Sequence, residues 1–170
     1  MTLTRQDALL LKALQTDSRI TNQALAEAAG MAPSPCWRRV RQLEEAGLIT
    51  GYRAQLDRKK LGLGLLAFIR IKIDSHSEQE AMRFEAEVQE LPQVIACYAT
   101  AGSADFLLQV VAQDLEQYSE FAMAVIRRLP GIKEMETSFV LKEIKPYNAL
   151  PLGLHTTPGL GKNRPGLDEF

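Results

Sequence analysis

Ser34, Trp37, Arg38, Arg39, Arg41 and Gln42 crowd into nine positions, and that mixture of side chains suits a nucleic-acid duplex. Arginine bonds guanine through two N–H groups or neutralises a phosphate, serine bonds a phosphate or a base edge, and an indole can meet a thymine methyl. Trp37 has the alternative of packing on a neighbouring helix, the reading preferred here. For the arginines the alternative is an ordinary solvated face paired with Glu44 and Glu45. A second group is Thr100-Ala101-Gly102-Ser103-Ala104-Asp105. Glycine lets a ligand approach the backbone, turn N–H groups hold a carboxylate, and Asp105 has the charge to hold an ammonium. Together these describe a free amino acid, although the same spacing also makes an ordinary hairpin turn.

Other chemistry finds little support. Cys36 and Cys97 lie 61 positions apart with no C-x-x-C, and His76 and His155 are the only histidines. A disulfide framework and a Cys/His zinc site are thereby excluded. Cys36 is expected as a small buried hydrophobe, and both histidines as solvent-exposed. No nucleophile–base pair, metal cluster or phosphate loop stands at usable spacing, so neither an enzyme nor a bound cofactor or metal is expected.

The elements that must position these residues follow from periodicity. Thr4 with Asp7 forms a capping-box pattern ahead of Leu9, Leu10, Ala13 and Leu14, a first helix. Thr21 or Asn22 caps a second of about two turns, which Gly30 stops. Pro33, Ser34 and Pro35 open a third, since proline is tolerated in a first turn. Its inner face is Cys36, Val40 and Leu43, its outer face carries the arginines with Arg39 near the edge, and Gly47 ends it. This is a helix-turn-helix pattern, and Leu48 to Ala54 alternates like a strand or short wing.

From Leu65 the period changes. Strands are expected at Leu65–Asp74, Val94–Ala101, Asp105–Ala112 and Ile132–Ile144. A helix opened by the Ser77-x-x-Glu80 box carries Ala81, Phe84, Val88 and Leu91. Another, capped by Asp114, carries Leu115, Tyr118, Ala122, Val125 and Leu129. The order βαββαβ is ferredoxin-like, with both helices on one sheet face. Leu65, Leu66, Ala67, Phe68 and Ile69 are apolar on both faces of the first strand, so the open face would prefer a partner to water. A homodimer or larger assembly is inferred.

The whole is an α+β chain with a winged helix-turn-helix over residues 1–53, a hinge over 54–64, a ferredoxin-like domain over 65–150, and an extended or disordered tail over 151–170. The chain has 170 residues, 46% of them apolar, enough to bury a real core. Residues 1–60 carry a net charge of +4 and 61–170 one of −5, which fits a basic DNA-binding module joined to an acidic remainder. The lack of a long apolar run or a signal peptide points to the cytoplasm.

These residues carry a family resemblance. Asn22-Gln23-Ala24-Leu25-Ala26, then Pro33 through Ile49, then Gly51-Tyr52, Gly102-x-x-Asp105-Phe106-Leu107-Leu108, Leu129-Pro130-Gly131 and Ala149-Leu150-Pro151-Leu152 resemble the Lrp/AsnC, or feast/famine, bacterial transcription regulators over about residues 3–152. The resemblance implies a C-terminal domain that dimerises and assembles further, often as a tetramer of dimers. It also implies a small amino acid or related metabolite bound between dimers near Thr100 to Asp105. Carried over, Ser34, Arg38, Arg39 and Arg41 contact DNA. Gly102 and Asp105, with Ser103 beside them, face the effector, and Thr137 and Ser138 are added on the fourth strand. Ala32 stands where the family often has a Ser or Thr cap, and Ala104 where an aromatic residue is common. The expected function is a sequence-specific DNA-binding regulator responsive to an amino acid. The alternatives are an architectural DNA-binding protein needing no ligand and a metabolite-binding partner of an enzyme.

Overall fold

A computed structural model describes residues 3–74, 78–147 and 149–152. The proposed cap at Ser77, the exposure of His76 and His155, and nearly all of the tail over 151–170 lie outside them. The chain divides into two compact units, one of residues 1–54 with 145–170 and one of residues 55–144.

In the first unit, α1 (Arg5–Thr16), α2 (Asn22–Ala29) and α3 (Pro33–Glu45) follow in order. Thr4 and Asp7 form the capping box of α1, and Thr21 caps α2 by accepting from the Ala24 N–H at 3.2 Å. Gly30 closes α2 in the left-handed region at φ 64°, where a Cβ would be strained. Leu10, Leu25, Ala26, Ala29, Cys36 and Leu43 make the core, with Val40 partly buried against it. No strand is formed over the segment 48–54 expected as a strand or wing. The N–H groups of Leu48 and Ile49 both return to the Leu43 carbonyl, at 3.0 and 3.2 Å, and close the end of α3. Over residues 50–54 no ladder partner is present among the described residues. The described residues 145–147 and 149–152 group with this unit rather than with the sheet. There the Gln15 side chain accepts from the Leu150 N–H at 2.6 Å and donates to its carbonyl at 3.3 Å.

The second unit is a four-stranded antiparallel sheet of order β2-β3-β1-β4, built from β1 (Leu65–Ile73), β2 (Val94–Ala99), β3 (Phe106–Ala112) and β4 (Ile132–Phe139). With α4 (Glu78–Gln89) and α5 (Leu115–Ala124) it makes the ferredoxin-like arrangement. Both helices cover one face, where Phe84, Val88, Tyr118, Phe121 and Ala122 pack on Ala67, Ile69, Ile71, Phe106, Leu108 and Val110. Leu115, expected in this stripe, is 60% exposed at the first position of α5, and Phe121 joins Tyr118 and Ala122 on the buried face. The strand expected to run to Ile144 ends at Phe139, opposite Ala67; the Val140 N–H still donates to the Leu66 carbonyl at 2.9 Å, and the chain then leaves the sheet two residues short of the start of β1. Leu141 and Ile144 are exposed accordingly.

Cross-strand pairing assigns the opposite face. Phe68 stands beside Gln109 and Ser138, Arg70 beside Leu107 and Glu136, and Tyr98 beside Leu107. Arg70 reaches Glu136 at 3.3 Å and Lys72 reaches Glu134 at 3.1 Å. Leu66 and Val111, one cross-strand pair on this face, are already buried within the chain. The open face is therefore part apolar and part an ion-pair ladder, rather than uniformly bare.

Candidate nucleic-acid interface and effector loop

The start of α3 is set by local chemistry. Pro33 occupies its first turn and Ala32 its N-cap, which leaves that end without a side-chain hydrogen bond. Asn22 at the start of α2 donates from Nδ2 to the Pro33 carbonyl at 2.9 Å and ties the two helices at the turn. Cys36 and Leu43 are fully buried on the inner face. Ser34, Trp37, Arg38 and Arg41 are consequently turned to solvent, and all four are exposed.

Trp37 is 55% exposed, so it does not pack on a neighbouring helix. The Arg41 guanidinium instead lies 5.3 Å from its ring centroid, a cation–π contact. Neither Arg38 nor Arg41 forms an ion pair among the described residues. Glu44, the expected partner, accepts from the Tyr52 hydroxyl at 2.9 Å. Burial and the Glu44 carboxylate beside it push the Tyr52 hydroxyl pKa up.

Arg39 departs from the expected outward role. Its Nε and Nη2 donate to the two oxygens of Asp7 at 2.6 and 2.7 Å, and its Nη1 donates to Gln42 Oε1 at 2.9 Å. A guanidinium so engaged is held by the fold, with three of its five N–H groups committed to Asp7 and Gln42. Asp7 is fully buried, and the Arg39 guanidinium holds its carboxyl far below the usual carboxylate range. Periodicity could have flagged Asp7, since it shares the inner face of α1 with Leu10 and Leu14. Its partner lies 32 residues away and left no local signal.

In the second unit, the loop after β2 is fixed by its own backbone. The Thr100 N–H donates to the Asp105 carbonyl at 2.8 Å and the Thr100 hydroxyl to the Ala104 carbonyl at 2.7 Å. Asp105 is exposed, and its Oδ2 accepts from the Ile73 N–H at 2.9 Å while its own N–H donates to Ile71. Gly102 has φ 137°, which an L side chain rarely adopts. Ser103 is exposed, with no hydrogen-bond partner among the described residues. Thr100, Gly102, Ser103 and Asp105 therefore share one loop at the end of β1.

Thr137 and Ser138 do not join it within the chain. They pair with Ile69 and Phe68, four or more residues from Ile73 along β1, roughly 13 Å at a strand's rise per residue. They also face opposite ways: Thr137 shares a hydrogen bond with the Tyr118 hydroxyl on the helix side, and Ser138 is exposed on the other.

Comparison with known proteins agrees with this architecture. Residues 3–50 match the family model for winged helix-turn-helix DNA-binding, and residues 66–150 match that for the Lrp/AsnC ligand binding domain. The chain is 39% identical to the DNA-binding transcriptional activator DecR of Escherichia coli K12 over 150 residues, 88% of this chain and 99% of that protein. It is 36% identical to the leucine-responsive regulatory protein of Salmonella typhimurium over 148 residues, 87% of this chain and 90% of that protein. Among solved structures it is similar to a transcriptional regulator of Neisseria meningitidis in complex with L-Met. That likeness has a TM-score of 0.86 and 40% identity, and covers 89% of this chain and 97% of that one.

Proposed function

Because the chain belongs to the Lrp/AsnC family of DNA-binding transcriptional regulators, we propose that it reads operator DNA with the outer face of α3 and changes its assembly when an apolar amino acid binds the Gly102–Asp105 loop. The observation that carries the DNA contact is the pair of cations, Arg38 and Arg41, without a carboxylate partner among the described residues, on the exposed face of a helix seated on a helix-turn-helix core. Ser34 contacts a phosphate or base edge near the start of the helix. Trp37 holds the Arg41 guanidinium by its face and leaves the guanidinium edge for guanine O6 and N7 or for a phosphate. Gln42 stands at the flank.

At the loop, the free Ser103 hydroxyl and the N–H groups around Gly102 suit an α-carboxylate. The lone pairs of Asp105 beyond the one used by Ile73 suit an ammonium. The names of the leucine-responsive relative and the L-Met complex support an apolar side chain as the third feature. Two copies joined through the open sheet face present two α3 helices to successive major grooves, about 34 Å apart, and further pairing makes the larger assembly. The protein acts in the cytoplasm.

Gel shifts on an operator recovered by selection from a random duplex pool test the DNA face. Arg41→Ala is expected to weaken binding and, if Arg41 meets a phosphate, to flatten the salt dependence by about one counterion; unchanged binding rules that face out. A thermal-shift panel of amino acids tests the loop, where Asp105→Ala should abolish the stabilisation without weakening binding in the absence of effector. A panel with no active amino acid would favour the ligand-independent architectural reading.

A further inference from the structure

Of the large apolar side chains on α3, Leu43 is fully buried and Val40 partly so, while Trp37 is exposed. Its indole has two faces. Arg41, one turn on, covers one of them with its guanidinium. Toward the start of the helix, the ring is one wall of an open concavity, whose other walls are Asn22, Pro33, Ser34 and Arg38. Pro33 and Ser34 stand one turn before Trp37, as Arg41 stands one turn after it, so the indole separates the concavity from the Arg41 guanidinium. The bond from Asn22 to the Pro33 carbonyl holds together the two helices that supply these walls. The proline ring and the indole are apolar, and Ser34 and Arg38 are polar.

We propose that this concavity is a thymine site, in which Trp37 and Pro33 receive the C5-methyl of one thymine in the operator half-site and Trp37 determines specificity there. The inference rests on the reading of α3 as the DNA face. The first turns of a recognition helix are those that meet base edges, and the concavity lies along them. The major groove presents ring nitrogens, carbonyl oxygens and amino groups, and the thymine methyl is the one apolar group among them. An indole and a proline ring closing on a polar group, a phosphate included, would strip its water and return no hydrogen bond. Closing on the methyl removes apolar surface from water on both partners. Arg38 has no carboxylate partner among the described residues, and a guanidinium carries only donors. It suits the O4 acceptor that thymine presents beside its methyl.

Deoxyuridine supplies the test, because it keeps the pairing and the O4 of thymine and lacks only the methyl. Full-length protein is titrated with the operator selected by the wild type and with duplexes in which each thymine of a half-site is replaced singly by deoxyuridine. One replacement is expected to weaken wild-type binding roughly fourfold, the worth of one buried methyl, and the others to leave it unchanged. Trp37→Ala should bind the thymine duplex more weakly and no longer distinguish the two bases at that position. Arg41→Ala, which uncovers the far face of the ring, should also bind more weakly yet keep the preference. A selected operator that requires no thymine, a loss spread evenly over every thymine, or a preference that survives in Trp37→Ala overturns the proposal. A preference that disappears in Arg41→Ala overturns it as well, since the methyl then lies against the guanidinium. If the wild type shows no preference while Arg41→Ala weakens binding, the thymine site alone is wrong and the DNA face stands. If the wild type selects no duplex, or if neither variant weakens binding, the reading of α3 fails and the thymine site falls with it.

Discussion

Asp7 shows how much one buried carboxylate decides. It completes the capping box of its own helix and anchors Arg39 from another. Removing one partner of a buried pair leaves the other charge uncompensated, so Asp7→Asn is expected to cost about 3 kcal/mol in urea unfolding. The pH dependence follows from the direction of the shift. The folded carboxyl ionises far below its ordinary range, so the folded state favours the charged form and the unfolded chain binds the proton more readily. The contribution is whole above the unfolded value of about 4 and is lost progressively as pH falls beneath it. Urea midpoints at pH 7 and pH 3 should therefore differ more for the wild type than for Asp7→Asn, and equal differences would remove Asp7 from the acid response. The arginine cluster was legible in the sequence at this scale, because three arginines on a helix opened by Pro33 and Ser34 are a local pattern. Which of the three faces outward was not. Arg39 is withdrawn by a residue on a different helix, and Trp37 lies exposed beneath Arg41 rather than packed, and neither fact is written in the spacing of α3.

Elements whose ends carry a cap or a breaker followed the sequence closely, and those ended by tertiary pairing did not. Thr4, Thr21 and Asp114 cap their helices as expected, each by accepting from the backbone three residues on. Periodicity cannot report that the segment over 48–54 lacks a neighbouring strand, nor that β4 leaves the sheet two residues before β1 does. In α5 the expected stripe holds at Tyr118, Ala122 and Val125, and Leu129 is buried just past a 3-10 turn over Ile126–Arg128. Leu115 is exposed as the first residue of the helix, and Phe121, three residues beyond Tyr118, widens the buried stripe. The uncapped start of α3 was visible in the sequence and is the element most open to improvement. Ala32 already has the extended backbone of an N-cap, at φ −77° and ψ 152°, with no side-chain oxygen to offer. Ala32→Ser supplies one, and should stabilise the helical unit by about 1 kcal/mol, read as a higher urea midpoint with an unchanged slope. Pro33 and Pro35 carry no N–H, so a midpoint at or below the wild-type value would mean that the Ser34 N–H is already satisfied.

At the scale of the whole molecule, the open sheet face decides whether one chain can act as a regulator at all. Exposed ion pairs such as Arg70–Glu136 and Lys72–Glu134 add little to the stability of a lone chain, about 0 to 1 kcal/mol each. Phe68 and Leu107 are only half-buried on that face, and Tyr98 is 55% exposed. A sheet face of this composition is better served by a second copy than by water, and two copies would place two α3 helices on one operator. Joining two binding modules makes the second contact intramolecular, so pairing multiplies affinity by roughly a hundredfold or more without any new DNA contact. Phe68→Glu puts a carboxylate at the centre of the face while touching nothing in the core under α4 and α5. Light scattering should find the wild type at a multiple of 18.9 kDa and Phe68→Glu at a smaller multiple. Operator binding should fall by at least tenfold, although α3 is unaltered. A variant that keeps its mass and its affinity would move the contact between copies to another surface, and one that loses mass but not affinity would show that a single α3 suffices for recognition.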